Sequence, residues 1–233
     1  MQTIGLIGGM SWHSTASYYR IVNETVAARL GGHASARITL QSLDFAEVRA
    51  CQLAGDWDRA AALLTDAARA CVAGGADVVA ICTNLMHKVA PQVEAGIDVP
   101  LVHIADAVAG LAAPQGWDRL GILGARWVME ETFYADRLGR HGITALSPDA
   151  ADRDLVDRVI FDELTQGRVE DASRRAYVEV IERLAARGAQ AVVLACTEIG
   201  LLVSPADSPL PLIDSADAHA RALAEVALSP AFA

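Results

Sequence analysis

The sequence predicts an α/β protein of two pseudo-symmetric domains, each a parallel sheet flanked by helices, with the active site in the cleft between them. Three observations carry this expectation. The apolar run Val78-Val79-Ala80-Ile81-Cys82-Thr83-Asn84 returns as Val192-Val193-Leu194-Ala195-Cys196-Thr197-Glu198, and the two match without a gap back to Gly74 and Gly188. A second pair, Gly5-Leu6-Ile7-Gly8-Gly9 and Gly121-Ile122-Leu123-Gly124-Ala125, precedes the cysteines at nearly equal distance: 77 positions from Gly5 to Cys82 and 75 from Gly121 to Cys196. Expected strands and helices alternate along the chain, which implies a parallel sheet with helices on both faces.

Residues 3–7 read as the first strand and Gly8-Gly9-Met10 as its turn, with Ser14 able to cap a helix to about Leu30. The glycines let backbone approach a ligand closely. They do not form GxGxxG, and no acidic residue follows about twenty positions on at a strand end, so a dinucleotide site is weakly supported. Residues 37–43 form the second strand, and Asp44 leads into helical segments over 45–73. Residues 77–81 are the third strand, followed by a helix over 85–94; 101–103 are a short fourth strand, followed by a helix over 105–113. Pro114-Gln115-Gly116-Trp117 punctuates the chain. The pattern then restarts: strand 120–123, helix 128–141, strand 143–146, amphipathic helices 152–166 and 171–186, and strand 191–195. A short helix from Glu198, a Pro-rich loop over 204–211 and a helix over 214–228 complete the chain. The expected domains are residues 1–114 plus 212–233, with the last helix returning to the first domain, and residues 115–211.

Composition narrows the chemistry. A net charge of −10 with no basic tract argues against nucleic acid, although a local pocket can still oppose that charge for a small acidic substrate. Lys88 is the only lysine, so a pyridoxal phosphate Schiff base would rest on that residue alone, and such chemistry is disfavoured. Cys51, Cys71, Cys82 and Cys196 show no zinc-type spacing, and no metal is expected. Cys51 and Cys71 lie in alanine-rich helical stretches, as small buried apolar side chains do. No run has the length of a membrane span, and residues 1–5 enter a strand without a basic region or cleavage site. A cytoplasmic protein without disulfides is the expectation.

Cys82 and Cys196 differ in context from the other two. Each ends a strand and opens a helix, on the side of a parallel sheet where ligands bind. There the helix N-terminus is expected to favour the thiolate and lower its pKa towards neutral. One buried cysteine at a strand end is ordinarily structural; two at matched positions of a duplication, each followed by Thr, point to function. Two thiols on opposite sides of one cleft suit inversion of a stereocentre, one removing a proton from carbon and the other donating one to the opposite face. Thr83, Asn84 and Thr197 offer donors to a carboxylate beside which charge develops. Glu198 is suited to bond near Cys196, to meet a substrate ammonium, or to cap the helix it begins.

These residues carry a resemblance. Gly8-Gly9-Met10-Ser11-Trp12 with Ser14-Thr15 and Tyr18-Tyr19-Arg20, then Cys82-Thr83-Asn84-Leu85-Met86-His87-Lys88, then Cys196-Thr197-Glu198-Ile199 resemble the aspartate/glutamate racemase family over nearly the whole chain. Within it, the chain looks closest to the bacterial broad-specificity amino-acid racemases. The resemblance implies a cofactor-independent racemase of free amino acids, usually a homodimer, with Cys82 and Cys196 as the two proton donor/acceptors. It further implies that Met10 lines the pocket, that Thr83, Asn84, the Leu85 amide and Thr197 hold the α-carboxylate, and that Gln52 reaches towards the substrate side chain. Two family threonines are replaced, by Leu85 and Ala125, and no lysine follows Lys88 to hold a distal carboxylate. A broad pocket taking aspartate, glutamate or homoserine-like side chains is therefore expected. Arg49, Arg126 and Arg168 could substitute for the lysine, though each reads first as a solvated surface residue.

His87 and Lys88 follow on the next helix, where they could tune the Cys82 thiolate, but His87 reads equally well as a packing residue. His103 and Asp106 read as a structural pair, Trp12, Tyr18 and Tyr19 as packing for the first helix, and the acidic run 149–157 as a solvated face. The rival functions are a hydantoin racemase, a decarboxylase or a dicarboxylate isomerase of the same superfamily, and a non-catalytic amino-acid-binding protein. Possession of both cysteines argues against the decarboxylase.

Overall fold

A computed structural model describes residues 1–229, in which the chain divides into unit one, Met1–Ile104 with the described residues from His219 onward, and unit two, Ala105–Ala218. These bounds differ from the expected crossings at 114/115 and 211/212. At the second crossing the reason is a short strand over 212–214, which pairs with the sheet of unit two.

Unit one is built on β1 (Thr3–Gly8), buried from Ile4 onward because strands pair with it on both edges. Its sheet has the order β2-β1-β3, all parallel, with β2 at Arg37–Ser42 and β3 at Val78–Ile81. Between them run α1 (Trp12–Leu30), α2 (Phe45–Ala54) and α3 (Trp57–Ala73). Asp44 and Asp56 cap α2 and α3 by accepting the N–H groups of Ala46 and Arg59. Helix α1 is capped by Ser11 rather than Ser14, which leaves the Ser14 side chain buried and available elsewhere. Ile7, Leu64, Ala68, Ile81, Met86 and Val93 form the core, where each large aliphatic contributes about 1.5–3 kcal/mol by leaving water.

Two expectations in unit one need correction. The expected helix over 85–94 is a 3₁₀ segment, Leu85–Val89, followed by α4 (Ala90–Ala95). Pro91 has no N–H to donate to His87, so a continuous helical ladder cannot pass that point. The expected fourth strand is a single parallel bridge between Val79 and Leu101, because Pro100 likewise lacks the donor that would extend the pairing.

From α5 (Ile104–Ala112) and a 3₁₀ turn (Ala113–Gln115) the chain enters the sheet of unit two. Its order is β5-β4-β6-β7, again all parallel: β4 at Arg119–Gly124, β5 at Thr144–Leu146, β6 at Ala191–Ala195 and β7 at Leu212–Asp214. The expected helix over 128–141 is two helices, α6 (Arg126–Glu130) and α7 (Thr132–Gly139), because Glu131 takes an extended conformation between them. Next come α8 (Ala150–Asp162), a 3₁₀ turn (Leu164–Gln166), α9 (Asp171–Ala186), α10 (Ile199–Leu202) and α11 (Ser215–Leu228). Tyr177, Val180, Ile181 and Leu184 of α9 pack with Leu123, Val192 and Leu194. Asp152, expected on a solvated face, is instead buried, and its carboxylate receives both Nε and Nη2 of Arg183 at 2.7 and 2.6 Å. From His219, α11 belongs to unit one, where Ala227 accepts the Gln2 N–H at 2.8 Å.

The duplication is now topological. In each unit the chain leaves a central strand, β1 or β4, for the strand on one side and then crosses to the strand on the other, β3 or β6. The crevice at the carboxyl ends of such a pair is the switch point, where open α/β sheets bind ligands. Cys82 directly follows β3, and Cys196 directly follows β6.

Candidate active site

The turn after β1 is shaped by close approach. Gly9 has φ +91°, and a Cβ there would lie 2.1 Å from the Leu43 carbonyl oxygen, while a Cβ on Gly8 would lie 2.4 Å from Thr15 Cγ2. Thr15 Oγ1 accepts the Gly9 N–H at 2.8 Å and donates to the Ser11 carbonyl at 2.9 Å, tying the turn to the start of α1. Met10 is buried, and the Met10–Ser11 peptide is cis.

Cys82 lies one residue beyond the Ile7–Ile81 pair, and its N–H donates to the Ile7 carbonyl at 2.9 Å. Ser14 Oγ donates to the Cys82 carbonyl at 3.2 Å. Two positions on from Thr83 and Asn84, Leu85 and Met86 begin the 3₁₀ segment, and His87 Nδ1 meets the Thr83 carbonyl at 2.8 Å. Cys82, Asn84 and Leu85 are buried, and Thr83 is half-buried. Gln52 of α2 is buried beside this segment: its Nε2 donates to Met86 Sδ at 3.3 Å, and its Oε1 accepts from Arg49 Nη1 at 3.1 Å. Lys88 holds its ammonium 3.9 Å from the centroid of the Trp57 ring.

Cys196 has a different neighbourhood. Its thiol donates to Glu198 Oε2 at 3.1 Å, and Thr197 Oγ1 donates to the same oxygen at 2.7 Å. Glu198 stands at the N-cap position of α10, yet its side chain makes no capping bond there. Ser215 Oγ donates to the Leu194 carbonyl at 2.7 Å and steadies the strand below Cys196.

The expected lowering of the thiol pKa values is not what these environments produce. Burial pushes the Cys82 thiol up, with Cys71 adding to the shift. Burial, the Glu198 carboxylate and the bond to it push Cys196 well above the ordinary value. The physical reason is desolvation, the largest cause at both thiols, which disfavours the charged thiolate.

Other candidates settle differently. Arg126 pairs with Asp154 at 2.7 Å, and Arg168 donates to the Asp162 carbonyl at 2.6 Å. Tyr18 is fully buried, whereas Trp12 and Tyr19 are 64% and 55% exposed, so only Tyr18 packs the first helix as expected. Asp106 receives Arg137 and His141, and His103 stacks edgewise on His87, with ring centroids 4.4 Å apart. Ser14 and His87 were underrated from sequence. Their positions, fourth after Met10 and fifth after Cys82, became meaningful only once their partners were visible.

A family model for the Asp/Glu/Hydantoin racemases matches residues 7–223, and the chain belongs to that family. Among solved structures it is similar to a candidate Asp/Glu racemase from Yersinia pestis, with 48% identity, a TM-score of 0.94 and coverage of 98% of this chain and 100% of that one. An aspartate racemase homologue from Pyrococcus horikoshii OT3 shares 29% identity with a TM-score of 0.85, over 98% and 100% of the two chains. The aspartate racemase of Picrophilus torridus shares the fold at 20% identity, with a TM-score of 0.74 over 97% and 94%. No helix among the described residues is long and apolar enough to cross a membrane.

Proposed function

We propose that the protein is a cofactor-independent amino-acid racemase that works with two thiols, Cys82 from unit one and Cys196 from unit two. The observation that carries this reading is the matched placement of a cysteine at the switch point of each sheet in a chain of this family. One cysteine, as thiolate, takes the α-proton. The other gives its thiol proton to the opposite face of the same carbon. The turnover ends with the two protonation states exchanged, ready for the reverse direction.

Both thiols are raised, so the thiolate needs help to form. On the Cys196 side Glu198 Oε2 already accepts a hydrogen bond from the thiol at 3.1 Å and is the base placed to receive its proton. Charge that develops on the α-carbon spreads onto the α-carboxylate, which the Thr83, Asn84 and Leu85 backbone and Thr197 stabilise by hydrogen bonds. Met10 lines the pocket, and Gln52 meets the side chain. Arg49, which donates to Gln52 Oε1 at 3.1 Å, is the guanidinium set beside that side chain and would meet an acidic group there. The pocket takes aspartate, glutamate and homoserine-like substrates, and the working enzyme is a homodimer.

The test is proton NMR in deuterated water on separate L- and D-amino acids, with a reductant and no added cofactor. Loss of the α-proton signal with matching decay of optical rotation is expected for several side chains. Exchange of acidic substrates alone would overturn the broad pocket. No exchange of any amino acid would overturn the racemase and turn the search to hydantoins, dicarboxylates or binding without catalysis.

A further inference from the structure

Three imidazoles are buried together in unit one: His87, His103 and His219, at 1%, 4% and 0% exposure. The His87 ring centroid lies 4.4 Å from that of His103 and 5.7 Å from that of His219. Their hydrogen bonds settle which nitrogens carry protons. His87 Nδ1 faces the Thr83 carbonyl at 2.8 Å, and a carbonyl only accepts, so Nδ1 carries the proton. His87 Nε2 receives the Ile104 N–H at 3.1 Å and therefore keeps its lone pair. By the same logic His219 Nε2 donates to the Val102 carbonyl at 2.8 Å, while its Nδ1 pairs with the Tyr18 hydroxyl at 2.8 Å. The His87 ring is neutral, with both nitrogens engaged.

The partner of His87 is what gives this cluster a role. The Thr83 carbonyl and the Asn84 N–H belong to one peptide plane, and in a trans peptide they point in opposite directions. A carbonyl held inward by His87 therefore aims the Asn84 N–H to the other side of the loop. Ser14 does the same for the preceding plane: its bond to the Cys82 carbonyl sets the direction of the Thr83 N–H. The other end of His87 holds Ile104, the last residue before the chain passes into unit two.

We propose that His87 is a positioning residue, locked as the Nδ1–H tautomer between the Thr83 carbonyl and the Ile104 amide, which fixes the Thr83–Asn84 peptide so that its N–H meets the substrate carboxylate. This rests on the racemase reading for its substrate, and on the geometry of the loop for everything else. Burial, with His103 and His219 beside it, holds His87 well below the ordinary imidazole value, in keeping with a neutral ring.

The test separates the two ends of the ring. In His87→Asn the side-chain amide N–H falls near the place of Nδ1 and keeps the Thr83 clamp, while the Ile104 acceptor is lost. In His87→Gln the amide falls near the place of Nε2, so Ile104 is kept and the clamp is lost. The expected result is a KM raised about 10-fold or more in the Gln variant but less than about 3-fold in the Asn variant, since a lost buried bond of this kind is worth a factor of ten or so. Hydrogen exchange followed by mass spectrometry should be faster over residues 83–86 in the Gln variant only. Equal KM and equal exchange in the two variants would overturn the proposal. If the wild type exchanges no α-proton, the racemase reading falls, and the clamp stands or falls on loop exchange alone. Nitrogen-15 spectra of the wild-type histidines need no variant: His87 as the Nδ1–H tautomer supports the proposal, and as Nε2–H sinks it.

Discussion

The two cysteine loops began as copies, and they differ in what holds them. At Cys82 the loop is fixed through its backbone, by Ser14 and His87 on successive carbonyls, and the third residue is the neutral Asn84. At Cys196 the matching third residue is Glu198, and the contact is made directly on the thiol. The turns beside them have diverged as well. Gly9 sits at φ +91° against Leu43, whereas its counterpart Ala125 has φ −56° and ψ 151°, which any residue adopts. A duplicated fold has kept the location of each thiol and changed the means of controlling it. Position came from the sheet, and proton affinity from burial first and then from one or two neighbouring side chains.

The comparison breaks first at the thiols. Cys82→Ser and Cys196→Ser should each lower racemisation by about 10²–10⁴-fold, followed by chiral chromatography, because in the proposed mechanism each removes one of two proton-transfer groups. If one variant keeps near-normal turnover, the loops are not functional equivalents. Gly9→Ala should cost several kcal/mol, roughly 3 or more, since a Cβ meets backbone at a positive φ, while Ala125→Gly should cost only about 0.5–1 kcal/mol; urea unfolding reads both. Glu198→Gln should lower catalysis by about 10-fold and move the alkylation profile of Cys196 to lower pH, because the carboxylate that raises the thiol is gone, with Cys82 unmoved as the internal control. Ser14→Ala should cost about 1 kcal/mol in stability, which for a chain of this size is roughly 2–4 °C in Tm by differential scanning calorimetry.

The pH dependence follows from the raised thiols. Catalysis should climb as pH rises from 7 towards 9, since more of the thiolate forms. Stability should move the other way. Unfolded thiols ionise near pH ~8.5, whereas folded Cys71, desolvated in the core, holds its proton up to about 11. Across that window the unfolded chain has released protons that the folded chain keeps, so stability is lost as pH increases. Thermal unfolding at pH 7, 9 and 10.5 should show Tm falling.

Much of the fold was legible in the chain because burial on both faces writes parallel strands as unbroken apolar runs, as in residues 78–81 and 191–195. The breaks were not. Pro91 and Glu131 split helices that look continuous by periodicity, and Leu212–Asp214 is too short to reveal by pattern that it extends the sheet of unit two. At the candidate site the two cysteines stood out by repetition. Ser14 reads as a helix cap in sequence because Ser11 stands three positions before it with the same chemistry, and only packing shows which hydroxyl turns inward. His87 could not be ranked above a packing residue, because its significance is a bond to a carbonyl on one side and an amide 17 positions away on the other.

By itself the sequence determined the α/β class, the duplication and the matched positions of Cys82 and Cys196 within it, since these follow from apolar patterning and internal repeats that are local to the chain. The tertiary structure alone decided the ionisation of those thiols, which turned out raised rather than lowered. Proton affinity depends on desolvation and on neighbours brought together by folding, and neither quantity is written in the spacing of residues.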